Sequence, residues 1–111
     1  MITATKIIEE VADAYGFKVD DLLSRQRISR IAEARAVMCY LLSRHLSMSS
    51  TEIGKMLGRN HATILHLVSK VDDMLSFPKM YREHVSVVRS IEDKYFKTDE
   101  KEKVEHLQEV D

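Results

Sequence analysis

Residues 49–71, SSTEIGKMLGRNHATILHLVSKV, decide the fold of this chain. Ser49-Ser50-Thr51-Glu52 fits a capping box, in which a hydroxyl and a carboxylate three residues apart satisfy each other's helix-end donors. It predicts a short helix from about Ser50 to Leu57 that buries Ile53, Met56 and Leu57. Gly58-Arg59-Asn60 reads as a tight turn, and Asn60 suits the N-cap of a second helix because its side chain can accept an orphan N–H. That helix is predicted from His61 to about Leu75, with Ile64, Leu65, Val68, Val71 and Leu75 as the buried 3–4 repeat. Two short helices around a glycine-containing turn form a helix-turn-helix pattern.

Upstream, Ile7, Ile8, Val11, Ala12 and Tyr15 recur at helical spacing and predict a first helix from Thr3 to Tyr15, ended by Gly16. A short helix around Val19 to Leu23 follows, with Leu22 and Leu23 inward. Ser24 to Ser29 is basic and has no apolar period, so it reads as an exposed loop. A long helix from Arg30 to Leu46 puts Ile31, Ala34, Val37, Met38, Leu41, Leu42 and His45 on one core stripe. Downstream, Pro78 fits the first turn of a last helix running to roughly Phe96, with Met80, His84, Val87, Val88, Ile91 and Tyr95 as its apolar face. Residues 1–96 therefore read as a single helical domain and 97–111 as a flexible mixed-charge tail. Val104, Leu107 and Val110 give that tail the spacing to become helical on a partner.

Composition agrees with an all-α bundle of about six helices. Three Gly and one Pro in 111 residues, with 44% hydrophobic residues, suit one small helical core. Runs of β-branched and aromatic residues bounded by turns are absent, which argues against parallel-sheet enzymes and β-barrels. Cys39 is the single cysteine, so neither an internal disulfide nor a thiolate metal cluster can form, and its apolar helical setting reads as core. His61 and His66, five apart on a helix, point about 140° away from each other and make poor zinc co-ligands. No metal and no cofactor is expected. Neither a membrane span nor a signal-peptide pattern is present, so the expected compartment is the cytoplasm, at the nucleoid.

The net charge of −1 conceals a strong asymmetry. Residues 1–22 carry −3 and residues 71–111 carry −4, whereas residues 23–70 carry eight Lys/Arg against Glu33 and Glu52, a net of +6. A basic middle between acidic ends is the footprint expected of a chain with one phosphate-facing surface. Catalytic arrangements are not evident: no Ser–His–Asp, Cys–His or HExxH grouping stands out, and Gly54 to Arg59 lacks the GxxxxGK[ST] order of a phosphate loop. The chain does not read as an enzyme. In a helix-turn-helix the start of the second helix enters the major groove, which here presents Asn60, His61, Ala62 and Thr63 to base edges. Asn60 has two readings, a helix cap or a bidentate partner for adenine. Arg25, Arg27 and Arg30 form a loop dense in arginine, suited to phosphate or to the minor groove.

From Val19 to Val71 the chain resembles domain IV, the C-terminal DNA-binding domain, of the bacterial replication initiator DnaA. Val19-Asp20-Asp21-Leu22-Leu23-Ser24-Arg25-Gln26-Arg27 is similar to the family's "V.DLLS.rR" segment, Ala34 to Leu41 to its "pRqiaMyL" motif, and Ser50 to Val71 to its "slpeIG..FggRDHtTVlhA..kI" signature. The resemblance implies a Trp-repressor-like bundle that binds double-stranded DNA in connection with replication initiation or its regulation. It also implies residue roles: Arg27 for the minor groove, Arg35 for phosphate, and Asn60, His61, Ala62 and Thr63 for bases and phosphates. Lys55 and Arg59 are expected to add phosphate contacts.

The family's double glycine is single here (Gly58), and its Asp-His-Thr-Thr is Asn60-His61-Ala62-Thr63, which puts recognition of the usual origin sequence in question. An ATPase module of the kind that precedes this domain in DnaA is not found in these residues, so origin melting by the chain alone is not expected. A stand-alone regulator, a competitor for initiator sites or a mobile-element accessory protein fits that expectation. A transcriptional repressor on the same fold is the second reading, marked by a dimer and a palindromic site. The third is a protein-interaction adaptor without DNA affinity, contacting a replication initiator or another protein through the acidic C-terminal region.

Overall fold

The computed structural model describes residues 2–96. They form six helices: α1 (Ala4–Tyr15), α2 (Val19–Leu23), α3 (Ser29–Leu46), α4 (Ser50–Leu57), α5 (His61–Ser76) and α6 (Arg82–Tyr95). Among the described residues there is no β-strand. The tail expected at 97–111 lies outside them.

The bundle is built around α3, which touches each of the other five helices. A helix surrounded in this way is buried over most of its circumference. Every residue from Ala34 to Tyr40 is buried, as are Leu41 and Leu42, so the single stripe expected from the sequence understates its burial. Val37, Met38, Leu41 and Leu42 are fully inaccessible, and each such side chain contributes about 1.5–3 kcal/mol. Cys39 is inside this core, and burial pushes its thiol pKa up to about 12, as a structural cysteine requires. Lacking a glycine, α3 ends on Ser47 in the left-handed region (φ 55°), and Met48 N–H closes onto the Leu42 carbonyl at 3.2 Å.

Helix α6 is fastened to this centre by two buried polar clusters. Tyr15 of α1 and His84 of α6 meet at 2.7 Å through the hydroxyl and Nδ1, while His84 Nε2 faces the Glu33 carboxylate of α3. The carboxylate only accepts, so in the neutral ring Nε2 holds the proton and Nδ1 accepts from Tyr15. At the other end His45 Nε2 donates to Glu92 (2.8 Å) and stacks on Phe96, with ring centroids 4.2 Å apart.

Three expectations are corrected. Pro78 does not start the last helix. It occupies the second position of a turn closed by Met80 N–H to the Phe77 carbonyl at 3.0 Å, and α6 begins four residues later. Met80, expected on the apolar face of α6, is 71% exposed for the same reason. Leu65 is 56% exposed because Ile64, Val68, Val71 and Met74 form the buried edge of α5, and its neighbour in sequence lies a quarter-turn further round.

Candidate nucleic-acid interface

The helix-turn-helix is held by local chemistry that can be followed residue by residue. Ser49 Oγ accepts from Glu52 N–H (3.1 Å) and Glu52 accepts from Ser49 N–H (3.0 Å), starting α4. These bonds hold the Glu52 carboxyl below its usual pKa. Gly58 ends α4 with φ 66°, and Arg59 N–H reaches back 2.8 Å to the Gly54 carbonyl. The turn lies so close to α4 that a Cβ on Gly54 would stand 2.5 Å from the Arg59 carbonyl oxygen. Asn60 Oδ1 then accepts from both Thr63 N–H (2.9 Å) and Thr63 Oγ1–H (3.2 Å), starting α5. His61 and Ala62 follow, exposed. Their N–H groups have no intrahelical acceptor and lie at the positive end of the helix dipole.

The α2–α3 loop closes over this helix start. A shallow cleft of about 330 Å³ is lined by Arg25, Arg27, Gly58, Arg59, Asn60 and Thr63, and no carboxylate is among them. A Cβ on Gly58 would be 3.6 Å from the Arg25 guanidinium, so the loop rests on the turn itself. Four cations elsewhere are engaged, Arg30 with Glu83, Arg44 with Asp72, Arg89 with Glu92 and Lys94 with Glu10, while Lys6, Lys18, Lys70, Lys79 and Arg82 are scattered and form no ion pair among the described residues. Among the described residues, Arg25, Arg27, Lys55 and Arg59 make no ion pair. Arg59 also carries a buried Nε with no hydrogen-bond partner. Cations gathered unpaired at a helix N-terminus form a site for anions, phosphate foremost.

Residues 4–71 match the family model described as the bacterial dnaA protein helix-turn-helix, over more than half of the chain. The chain belongs to this family. Chromosomal replication initiator protein DnaA of Ureaplasma parvum is 44% identical over 71 residues, which is 63% of this chain and 16% of that protein. DnaA of Anaplasma marginale is 36% identical over 76 residues (68% and 16%), and DnaA of Rickettsia canadensis 30% over 92 residues (82% and 20%). The chain thus spans a fifth or less of the length of these relatives.

Within this DnaA helix-turn-helix the expected site residues divide into groups. Arg27, Arg59, Asn60 and Thr63 meet at one cleft. Lys55, His61 and Ala62 are exposed on the adjoining surfaces of α4 and α5. The Asn60 oxygen and the Thr63 hydroxyl are both spent on the cap, which leaves the Asn60 amide NH₂ as the outward polar group.

Arg35 is the exception, and the phosphate role implied by the resemblance does not fit its position. It is 2% exposed, and its guanidinium donates to four carbonyls: Nε to Leu22 (2.7 Å), Nη1 to Gln26 (3.1 Å), and Nη2 to Ser24 (2.8 Å) and Asp21 (3.4 Å). Burial, and secondarily the Arg59 charge, lower its pKa. Arg30 of the basic loop is also turned away, paired with Glu83 and lying 5.4 Å over the Tyr15 ring. Two further residues lie on this side of the molecule. Arg25, one of the three loop arginines suited to phosphate, lines the cleft, and Leu65, expected in the buried repeat of α5, is exposed between Ile64 and His66.

Proposed function

We propose that this domain binds double-stranded DNA with sequence preference, placing α5 in the major groove and the Arg25/Arg27 loop against the adjacent backbone and minor groove. The observation that carries the reading is the carboxylate-free cleft at the start of α5, where arginines from two separate chain segments converge without partners. Arg25, Arg59 and Lys55 supply phosphate contacts, and Arg27 takes the minor groove. His61 and the Asn60 amide donate to base-edge acceptors, while Ala62 and Leu65 pack against thymine methyls. The role follows that of the DnaA proteins it resembles: replication initiation or its regulation, with the domain contributing binding rather than ATP hydrolysis.

The test is fluorescence anisotropy on a labelled duplex carrying the initiator's usual box, beside a shuffled duplex, at two salt concentrations. Preference for the box that survives higher salt is the expected result, and Arg59→Ala/His61→Ala should abolish that preference with the helical CD unchanged. Absence of binding to either duplex at low salt would remove the proposal and leave the adaptor reading.

A further inference from the structure

Arg35 is a buried cation whose place in the bundle asks for an explanation other than packing. It projects from the middle of α3, on the side that faces α2 and the start of the α2–α3 loop. Helix α2 has only five residues, so its C-terminal carbonyls have few intrahelical donors, and the loop beyond it has none. The planar guanidinium fork of Arg35 fills that gap with three nitrogens and four backbone acceptors. Two of those acceptors, the carbonyls of Ser24 and Gln26, bracket Arg25. With the backbone drawn inward on both sides of it, the Arg25 side chain lies over Gly58, and Arg27, the next residue but one, enters the same cleft. A flexible loop carrying two arginines would otherwise have to be ordered at the moment of binding, at the expense of affinity.

We infer that Arg35 is a positioning residue that clamps the α2–α3 loop and so presets Arg25 and Arg27 against the helix-turn-helix turn, acting through its hydrogen-bonding fork and not through contact with DNA. The inference rests on the duplex-binding reading for its consequence, but the clamp itself is a property of the free protein. Lysine at this position keeps the charge and loses the fork, so a single ammonium cannot hold carbonyls spread from Asp21 to Gln26.

Two measurements decide the matter. The first uses the wild-type protein: the Arg35 Hε resonance should exchange slowly with solvent in the free state. It should stay in place on titration with a box-containing duplex while those of Arg25, Arg27 and Arg59 move. Rapid exchange in the free protein, or a shift of Arg35 as large as theirs, overturns the clamp. If no arginine responds to any duplex, the DNA-binding proposal fails, and the clamp then stands or falls on the exchange rate alone. The second is a double-mutant cycle. Arg27→Ala should weaken binding about tenfold in the wild type and less than about twofold in an Arg35→Lys background, because the loop is already released there. Equal losses in both backgrounds overturn the inference. Should Arg35→Lys fail to fold, the exchange measurement decides.

Discussion

Asn60 shows how one side chain carries two duties with different atoms. Its Oδ1 is occupied by Thr63, so the bidentate adenine contact, which needs an acceptor as well as a donor, is closed to it while the cap is intact. What faces outward is a donor pair suited to N7, O6 or O4 acceptors. The two duties separate by mutation. Asn60→Ala should lower stability by about 1 kcal/mol through loss of the cap, measured by urea denaturation. Asn60→Asp retains an accepting oxygen at the favourable end of the helix dipole, so stability should be unchanged or slightly raised. It replaces the outward donor with a charge, however, so selection from a randomised duplex pool should return a different preferred base at one position. An unchanged preference would reduce Asn60 to a cap. The aspartate that the family carries at this position makes the same comparison in reverse, since it caps as well as asparagine but offers the groove an acceptor.

At the scale of elements, the features readable from sequence were those whose causes lie within a few residues. The Ser49/Glu52 box, the Asn60 cap and the turn at Gly58 are each set by groups three or four residues apart, and all are found where expected. Features decided by remote partners were not readable in this way. Pro78 has a fixed φ that suits a helix start and a turn equally; the Phe77–Met80 hydrogen bond, not the proline, selects the turn. The resemblance gives Arg35 a phosphate role, and nothing in the side-chain pattern speaks against it, because its acceptors are main-chain carbonyls nine to fourteen residues earlier. Gly54 joins the two kinds. Intrinsic preference says that alanine in α4 should stabilise by up to about 1 kcal/mol. The Arg59 carbonyl at 2.5 Å from the new Cβ says the reverse, because a backbone atom held by the turn cannot step aside. The steric term wins: Gly54→Ala should destabilise by roughly 1–3 kcal/mol and weaken DNA binding by displacing Arg59. Thermal and urea unfolding check the first effect and anisotropy the second. A stabilised Gly54→Ala protein would mean that the α4–α5 turn is far more compliant than its geometry indicates.

Over the whole molecule, charge is sorted rather than merely balanced. Glu10, drawn below its ordinary pKa by Lys94 and Tyr95, and Glu83, drawn down by Arg30, neutralise cations on the α1 and α6 side. The cations around α4, the turn and the α2–α3 loop have no such partners among the described residues. A net charge of −1 therefore understates attraction to DNA, since a duplex approaching α5 meets Arg25, Arg27, Lys55 and Arg59 at close range. This distribution makes a quantitative prediction. Each phosphate neutralised releases counterions worth about 0.9 in the slope of log K against log salt, so the three contacts of Arg25, Lys55 and Arg59 give a slope of about −2.7. Affinity should accordingly fall roughly 40-fold between about 50 and 200 mM salt. Replacing Arg25, Lys55 or Arg59 singly by alanine should bring the slope about one unit closer to zero. Glu10→Gln, which removes an acid from the opposite side, should leave the slope unchanged although it frees Lys94, because a cation remote from the cleft meets no phosphate. A steeper slope after Glu10→Gln, or no change after Arg59→Ala, would place the DNA on a different face of the bundle.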